Sequence, residues 1–253
     1  MADEWSRLCR VEGFFTQMNY AIWRSLFSFQ ERNQINGNLF EIGTWKGRSA
    51  AALTLHCRQG ERVVLCDFML DDLNVVTNLE TLGFNARCIT PIAKRSSELK
   101  PSDLAGLERT VRWFHIDGDH SAEMTYLDLK VADRILSDEG VVVVDDFFNA
   151  RYVSVAWATF SYLSNQRHSF RLFLAGDNKG YLCRPHATRK YREHVLAEIP
   201  ATLSGSQLAL HQSGSIFDCE ALGLGASWIE ERTFIGLDED QTSYETVEKA
   251  RWG

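Results

Sequence analysis

From Asn38 onward the chain alternates short apolar runs with amphipathic stretches, and this alternation constrains the fold more than any other feature of the sequence. Short apolar runs bounded by polar turns read as strands buried on both faces. Helical spacing between consecutive runs supplies the crossover that parallel strands require. The runs fall at Leu39–Ile42, Arg62–Cys66, Ala86–Ile89, Arg112–Ile116 and Val141–Val144, and the spacing predicts helices over 46–58, 72–82 and 121–136. In the last of these, Met124, Leu127, Val131 and Ile135 recur every three or four residues while Glu123, Asp128, Lys130 and Asp133 fall elsewhere. Gly60 and Gly83 stand where left-handed caps end the first two helices, and Gly140 precedes the Val run. The expected fold is α/β, a mainly parallel sheet with helices on both faces.

Three segments emerge from this pattern. Residues 1–37 carry Phe14, Phe15, Met18, Ile22, Leu26 and Phe29 at helical spacing and read as a helical cap near a substrate mouth. Residues 38–185 form the core, closing with Arg171–Ala175 and Gly180–Arg184 around Gly-Asp-Asn-Lys, a β-hairpin signal. Residues 186–253 are an extension packed on the same domain, with a helix near 189–198 and then a Gly/Ser-rich stretch through Gly225 to which no chemistry attaches.

Composition removes several function classes. With a net charge of −7 and no basic cluster beyond the diluted stretch Arg184–Arg192, a nucleic-acid partner is not expected. Six cysteines (Cys9, Cys57, Cys66, Cys88, Cys183, Cys219) form no C-x-x-C pair, so reduced thiols and a cytoplasmic location are expected. No basic-then-apolar leader and no long apolar span appear, so no membrane partner is expected, and a homo-oligomer is left open.

The first strand runs into Phe40-Glu41-Ile42-Gly43-Thr44-Trp45-Lys46-Gly47-Arg48-Ser49, a strand, a glycine turn and a helix start. Gly43 and Gly47 let backbone approach a ligand, and a helix N-terminus receives a carboxylate as readily as a phosphate. The dinucleotide pattern G-x-G-x-x-G is absent because Trp45 takes the second glycine's place, which argues against a nicotinamide-dependent oxidoreductase. Asp67 closes the second strand, and its two oxygens match a ribose diol.

The densest chemistry lies in Phe114-His115-Ile116-Asp117-Gly118-Asp119-His120-Ser121 and in Val144-Asp145-Asp146-Phe147-Phe148. Asp117, Asp145 and Asp146 follow apolar strands, so they emerge together at the edge where open α/β sheets bind ligands. At about 4 Å and an effective dielectric of about 20, each like-charge pair costs roughly 4 kcal/mol. Neither motif contains Arg or Lys to offset this, so protonation or a hard divalent ion such as Mg²⁺ or Mn²⁺ is the expected relief. His115, on the strand itself, reads as a sheet-facing residue. Trp45, Phe147, Phe148 and Tyr152 stand near the expected mouth, either as ring-stacking surfaces or as ordinary packing.

Taken together, the turn E-x-G-x-x-x-G-x-S and the two acidic motifs resemble the methyltransferase family 24 group within the class I methyltransferases, and more distantly the metal-dependent catechol and macrolide-sugar O-methyltransferases. The resemblance implies a Rossmann-like, seven-stranded sheet ending in an antiparallel hairpin. It implies S-adenosylmethionine as cofactor, with Glu41, Gly43, Thr44, Gly47, Ser49 and Asp67 around its methionine and ribose parts, Ser96 at the adenine and Asp117 bordering it. It implies Asp117, Asp145 and Asp146 as ligands of Mg²⁺ or Mn²⁺, with Asp117 and His120 as catalytic residues and His120 as the general base; Asp119 is the alternative base. The acceptor it implies is a hydroxyl of a small molecule, either a sugar or glycoside or a phenol. A methyltransferase fold retained for binding without catalysis is the competing possibility.

Overall fold

In the computed structural model, which describes residues 2–203, 208–216 and 219–226, the apolar runs pair into one sheet. The elements in chain order are α1 (Ala2–Leu8), α2 (Gln17–Arg32), β1 (Asn38–Ile42), α3 (Arg48–His56), β2 (Val63–Cys66), α4 (Val75–Thr81), β3 (Ile89–Ile92) and β4 (Val111–Ile116). There follow α5 (Ala122–Ile135), β5 (Leu136–Val144), α6 (Val153–Asn165), β6 (Arg171–Gly176), β7 (Lys179–Cys183), α7 (Thr188–Thr202), β8 (Leu208–Ile216) and β9 (Cys219–Ala226). Among the described residues the sheet has nine strands in the order β3-β2-β1-β4-β5-β7-β6-β9-β8.

Strands β1 to β5 run parallel, and β7 inserts antiparallel between β5 and β6. This is the Rossmann-like arrangement the family resemblance implied, enlarged by two strands. The additional pair comes from the extension: β9 runs parallel to β6, with Leu174 opposite Leu222, and β8 closes the edge. The Gly/Ser-rich stretch hid these strands because its small residues leave little alternating apolar signal. The rest of the expected extension, 227–253, lies outside the described residues.

Alternate residues of each central strand supply opposite faces, as the two-residue period of a strand demands. Val141, Val143 and Trp113 enter the core shared with α2, α3 and α7, whereas Val142, Val144 and Phe114 enter the core under α5 and α6. Gly83 terminates α4 in a left-handed conformation, with Phe84 N–H bonded to Leu79 C=O and Gly83 N–H to Glu80 C=O, the double bond pattern of a glycine C-cap.

Two expected elements shift. The third strand lies at Ile89–Ile92 rather than Ala86–Ile89, because Ala86–Cys88 forms a 3-10 turn. It is an edge strand, which tolerates Pro91 and buries too little side chain to write a clear pattern. The single helical pattern over residues 1–37 is two helices, with Phe14 and Phe15 in the link. Thr16 sets the break by capping α2, its Oγ1 accepting Asn19 N–H at 3.0 Å. No described helix is long and apolar enough to cross a membrane.

Candidate active site

A cavity of about 730 Å³ opens at the C-terminal edge of the parallel strands. Its floor is the turn after β1, where Gly43, Thr44 and Trp45 line it together with Arg48 and Ser49 from the start of α3. Gly43 adopts a φ of +80°, and a Cβ there would stand 1.8 Å from Asp117 O, so only glycine lets the ends of β1 and β4 meet. Trp45 has a φ of 45°, an unfavourable conformation for a bulky residue. Its compensation is Asp67, whose Oδ2 accepts both Thr44 N–H and Trp45 N–H at 2.8 Å while Oδ1 accepts Met69 N–H at 2.8 Å. Thr44 Oγ1 is buried beside this turn with no hydrogen-bond partner.

The acidic edge divides into two groups. On one side Asp145 Oδ1 accepts Asp146 N–H at 2.8 Å, and Oδ2 receives the ammonium of Lys179, whose side chain is only 1% exposed. His115 Nε2 lies 3.6 Å from the same Oδ2, and its Nδ1 lies 2.8 Å from Glu41 Oε1, with both His115 and Glu41 fully buried. Burial opposes a charge on His115, but Asp145 and Glu41 outweigh it and raise its pKa to about 9. Burial also opposes ionisation of Asp145, and Lys179 and His115 overcome this and hold the carboxyl far below its ordinary value.

On the other side His120 Nε2 stands 2.7 Å from Asp146 Oδ2 and 3.7 Å from Asp117 Oδ1. Hydrogen bonding to Asp117 and Asp146 raises the His120 pKa to about 10, so the ring is an imidazolium at neutral pH. Burial and the neighbouring Asp145 charge push Asp117 up to about 6. Tyr152 stacks on the His120 ring at 4.1 Å, and Ser154 Oγ donates to the His120 backbone C=O at 2.6 Å, so ring and backbone are each held. Asp146 takes a φ of 53° and accepts Asn149 and Asn178 side-chain N–H groups on Oδ1.

Residues 40–147 match the family described as a methyltransferase domain. The matched stretch, from β1 to just past β5, is similar to a methyltransferase domain. Among solved structures the chain is similar to the O-methyltransferase NovP, at 17% identity and a TM-score of 0.56 over 66% of this chain and 79% of that one. It is similar to CalS11, described as a TDP-rhamnose 3′-O-methyltransferase of calicheamicin biosynthesis, at 16% identity and a TM-score of 0.51 over 67% and 81% of the two chains. Cofactor-bound Rv0187 from MTB aligns at 16% identity and a TM-score of 0.50 over 72% and 86%. A search of curated proteins gives no match.

The fold gathers most of the residues singled out in the sequence. Gly43, Thr44, Ser49, Asp67, Ser96, Asp117, His120, Asp145 and Asp146 all line the one cavity. Two expected cofactor residues do not reach it. Glu41 is fully buried behind the turn against His115, because its place on β1 points it into the sheet's α2 side rather than toward the mouth. Gly47 caps α3 with a φ of 95° and faces α4, where a Cβ would meet Val75 Cγ1 at 2.9 Å.

Three further expectations change. Asp67 spends three acceptor sites on backbone N–H groups, so it organises the glycine turn and has little capacity left for a diol. Asp119 accepts Ser121 N–H at 2.8 Å and so braces Ser121, the residue that caps α5. Asp145 is not an uncompensated carboxylate. Among the described residues the ligand-type groupings are His115, Asp117 and Asp145, and Asp117, His120 and Asp146, not the three aspartates together.

Sequence reasoning missed Lys179 and Asn178, which arrive from the β6–β7 hairpin. The hairpin pattern was legible, but not its neighbour: β7 beside β5 sets Gly180 opposite Val144, and the hairpin turn against the acidic motif. It also missed Arg48, whose side chain ties the cavity wall to Val11 C=O at 2.7 Å. Phe14, 88% exposed, stacks flat on Trp45 at 4.8 Å over the mouth.

Proposed function

We propose that the chain transfers the methyl group of S-adenosylmethionine to a hydroxyl of a small molecule, with His120 as the general base. The observation that carries this reading is the meeting of Asp117, His120 and Asp146, ligand atoms within 4.8 Å of one another, in the same cavity as the glycine turn. S-adenosylmethionine, when bound, supplies an electrophilic methyl on sulfur. The chain's task is to align an acceptor oxygen in line with that methyl and to take its proton. The unpartnered Thr44 hydroxyl and the helix start at Arg48 and Ser49 suit the carboxylate end of the cofactor.

A divalent ion fits only part of the expected ligand set. Asp117 and Asp146 would hold it, since both carry carboxylate oxygens toward the cavity; Asp145 is engaged by Lys179. Bound there, the ion lowers the pKa of a hydroxyl it touches. With Asp117 and Asp146 holding such an ion, their charge would no longer bind the proton of His120 as tightly, and His120 would be free to serve as the base.

The acceptor class rests on the cavity's mixed lining, with Phe14, Trp45 and Tyr152 offering ring faces and Asp119, Asn149 and Arg151 offering polar groups. The sugar-nucleotide substrate named for CalS11 makes nucleotide-linked deoxysugars the first acceptors to try, followed by phenols. The test is incubation of the enzyme with S-adenosylmethionine and each acceptor, with and without a chelator, followed by mass spectrometry. A product heavier by one methylene that disappears in His120→Ala supports the reading. Methylation confined to an amine or a thiol overturns it.

A further inference from the structure

The β6–β7 hairpin turns through Asp177 and Asn178, whose φ values of 47° and 66° are the left-handed pair of a tight two-residue hairpin turn. Asp and Asn tolerate that conformation better than other side chains. This turn fixes how β7 meets the end of β5. Val144 pairs with Gly180, so the next cross-strand position sets Lys179 opposite Asp145. Phe147 N–H bonds Asn178 C=O at 3.0 Å, and Asn178 Nδ2 reaches Asp146 Oδ1 at 2.6 Å, which locks the register.

The Lys179 side chain is 1% exposed, and its ammonium sits on Asp145 Oδ2 beneath the ring of Phe15, 5.7 Å away. The other oxygen of Asp145 is occupied by Asp146 N–H. A divalent ion on Asp145 would therefore face a tethered like charge at close range, and displacing that ammonium would leave it buried without a partner. On the reading that the cavity edge receives a divalent ion, we infer that Lys179 is a built-in counter-cation that withholds Asp145 from the ion and leaves Asp117 and Asp146 as its carboxylate ligands.

The experiment is titration of the full chain with Mn²⁺ alone, reading free Mn²⁺ by electron paramagnetic resonance, with thermal melting as the control for folding. The double variant Asp145→Asn/Lys179→Met removes the buried pair together and is expected to keep Mn²⁺ affinity within about threefold of wild type, since a true ligand or its support costs about 10–100-fold. Lys179→Met alone frees the third carboxylate and is expected to tighten Mn²⁺ binding by at least about tenfold. A folded double variant that loses Mn²⁺ by more than about tenfold, or a folded Lys179→Met that fails to tighten it, overturns the inference. Should Lys179→Met not melt cooperatively, Lys179→Gln takes its place in both variants. Wild type that binds no Mn²⁺, beside a Lys179 variant that does, would uphold the role of Lys179 and remove the metal from the proposed mechanism.

Discussion

Asp145 and Asp146 are neighbours of the same residue type at one strand end, yet they belong to different chemistries. Asp145 continues the β5 direction and closes a buried chain of Glu41, His115, Asp145 and Lys179, with side-chain exposures of 0%, 0%, 12% and 1%. Asp146 turns through a positive φ and joins Asp117 and His120, exposed by 15%, 32% and 29%. The first group is neutralised from inside by a lysine that cannot leave. The second is held by His120, a partly exposed imidazolium on the cavity wall that loses its charge when it gives up its proton. The two acidic groups thus differ in whether their counter-charge is buried and fixed or open to the cavity.

The largest effect expected from this division is on turnover. His120→Ala should lower methyl transfer by about 10²–10⁴-fold while leaving S-adenosylhomocysteine affinity unchanged, measured by steady-state kinetics and calorimetry. An equal loss in an Asp119 variant with His120 variants active would move the base out of the second group. The buried group should answer in stability. Glu41→Ala strips His115 of a buried partner and should cost about 3–5 kcal/mol in urea unfolding, with cofactor affinity retained in the folded fraction. Weakened cofactor binding without loss of stability would return Glu41 to the ligand.

Asp67→Ala sharpens the comparison at the cofactor side. Its carboxylate bonds three backbone N–H groups of the glycine turn and its surroundings, so its removal should weaken S-adenosylhomocysteine by roughly 1.5–3 kcal/mol, the scale of a charged hydrogen bond. The smallest effect concerns pH. The His120 pKa is raised from 6.5 to about 10, so its contribution to stability is full below 6.5 and is lost as pH rises toward 10. The melting temperature should therefore fall between pH 7 and pH 10, less steeply in His120→Ala. A His120→Ala slope as steep as wild type would show that the imidazolium does not hold Asp117 and Asp146 together.

The parallel strands and their helices were legible because fully buried strands write continuous apolar runs, as Val141–Val144 does. β8 and β9 were not, since Gly and Ser carry no such pattern. At the site, residues that follow β4 and β5 directly could be placed from sequence, for strand ends fix where side chains emerge. Lys179 could not, because its pairing with Asp145 depends on which strand lies beside β5. The expectation that no cation offsets the aspartates failed for that reason: it counted charges within the motifs, whereas the cation lies 34 residues away along the chain. Glu41 was misplaced for a related reason, since a strand's two-residue period alone does not say which face looks into a cavity.

The central claim is that the cavity beside His120 receives S-adenosylmethionine on a turn organised by Asp67. Calorimetric titration of the wild-type chain with S-adenosylhomocysteine, with NADH as comparator, should show one S-adenosylhomocysteine per chain and no NADH, the same affinity in His120→Ala and a weakened one in Asp67→Ala. Absence of S-adenosylhomocysteine binding by a folded wild-type chain, or binding indifferent to Asp67, would contradict it.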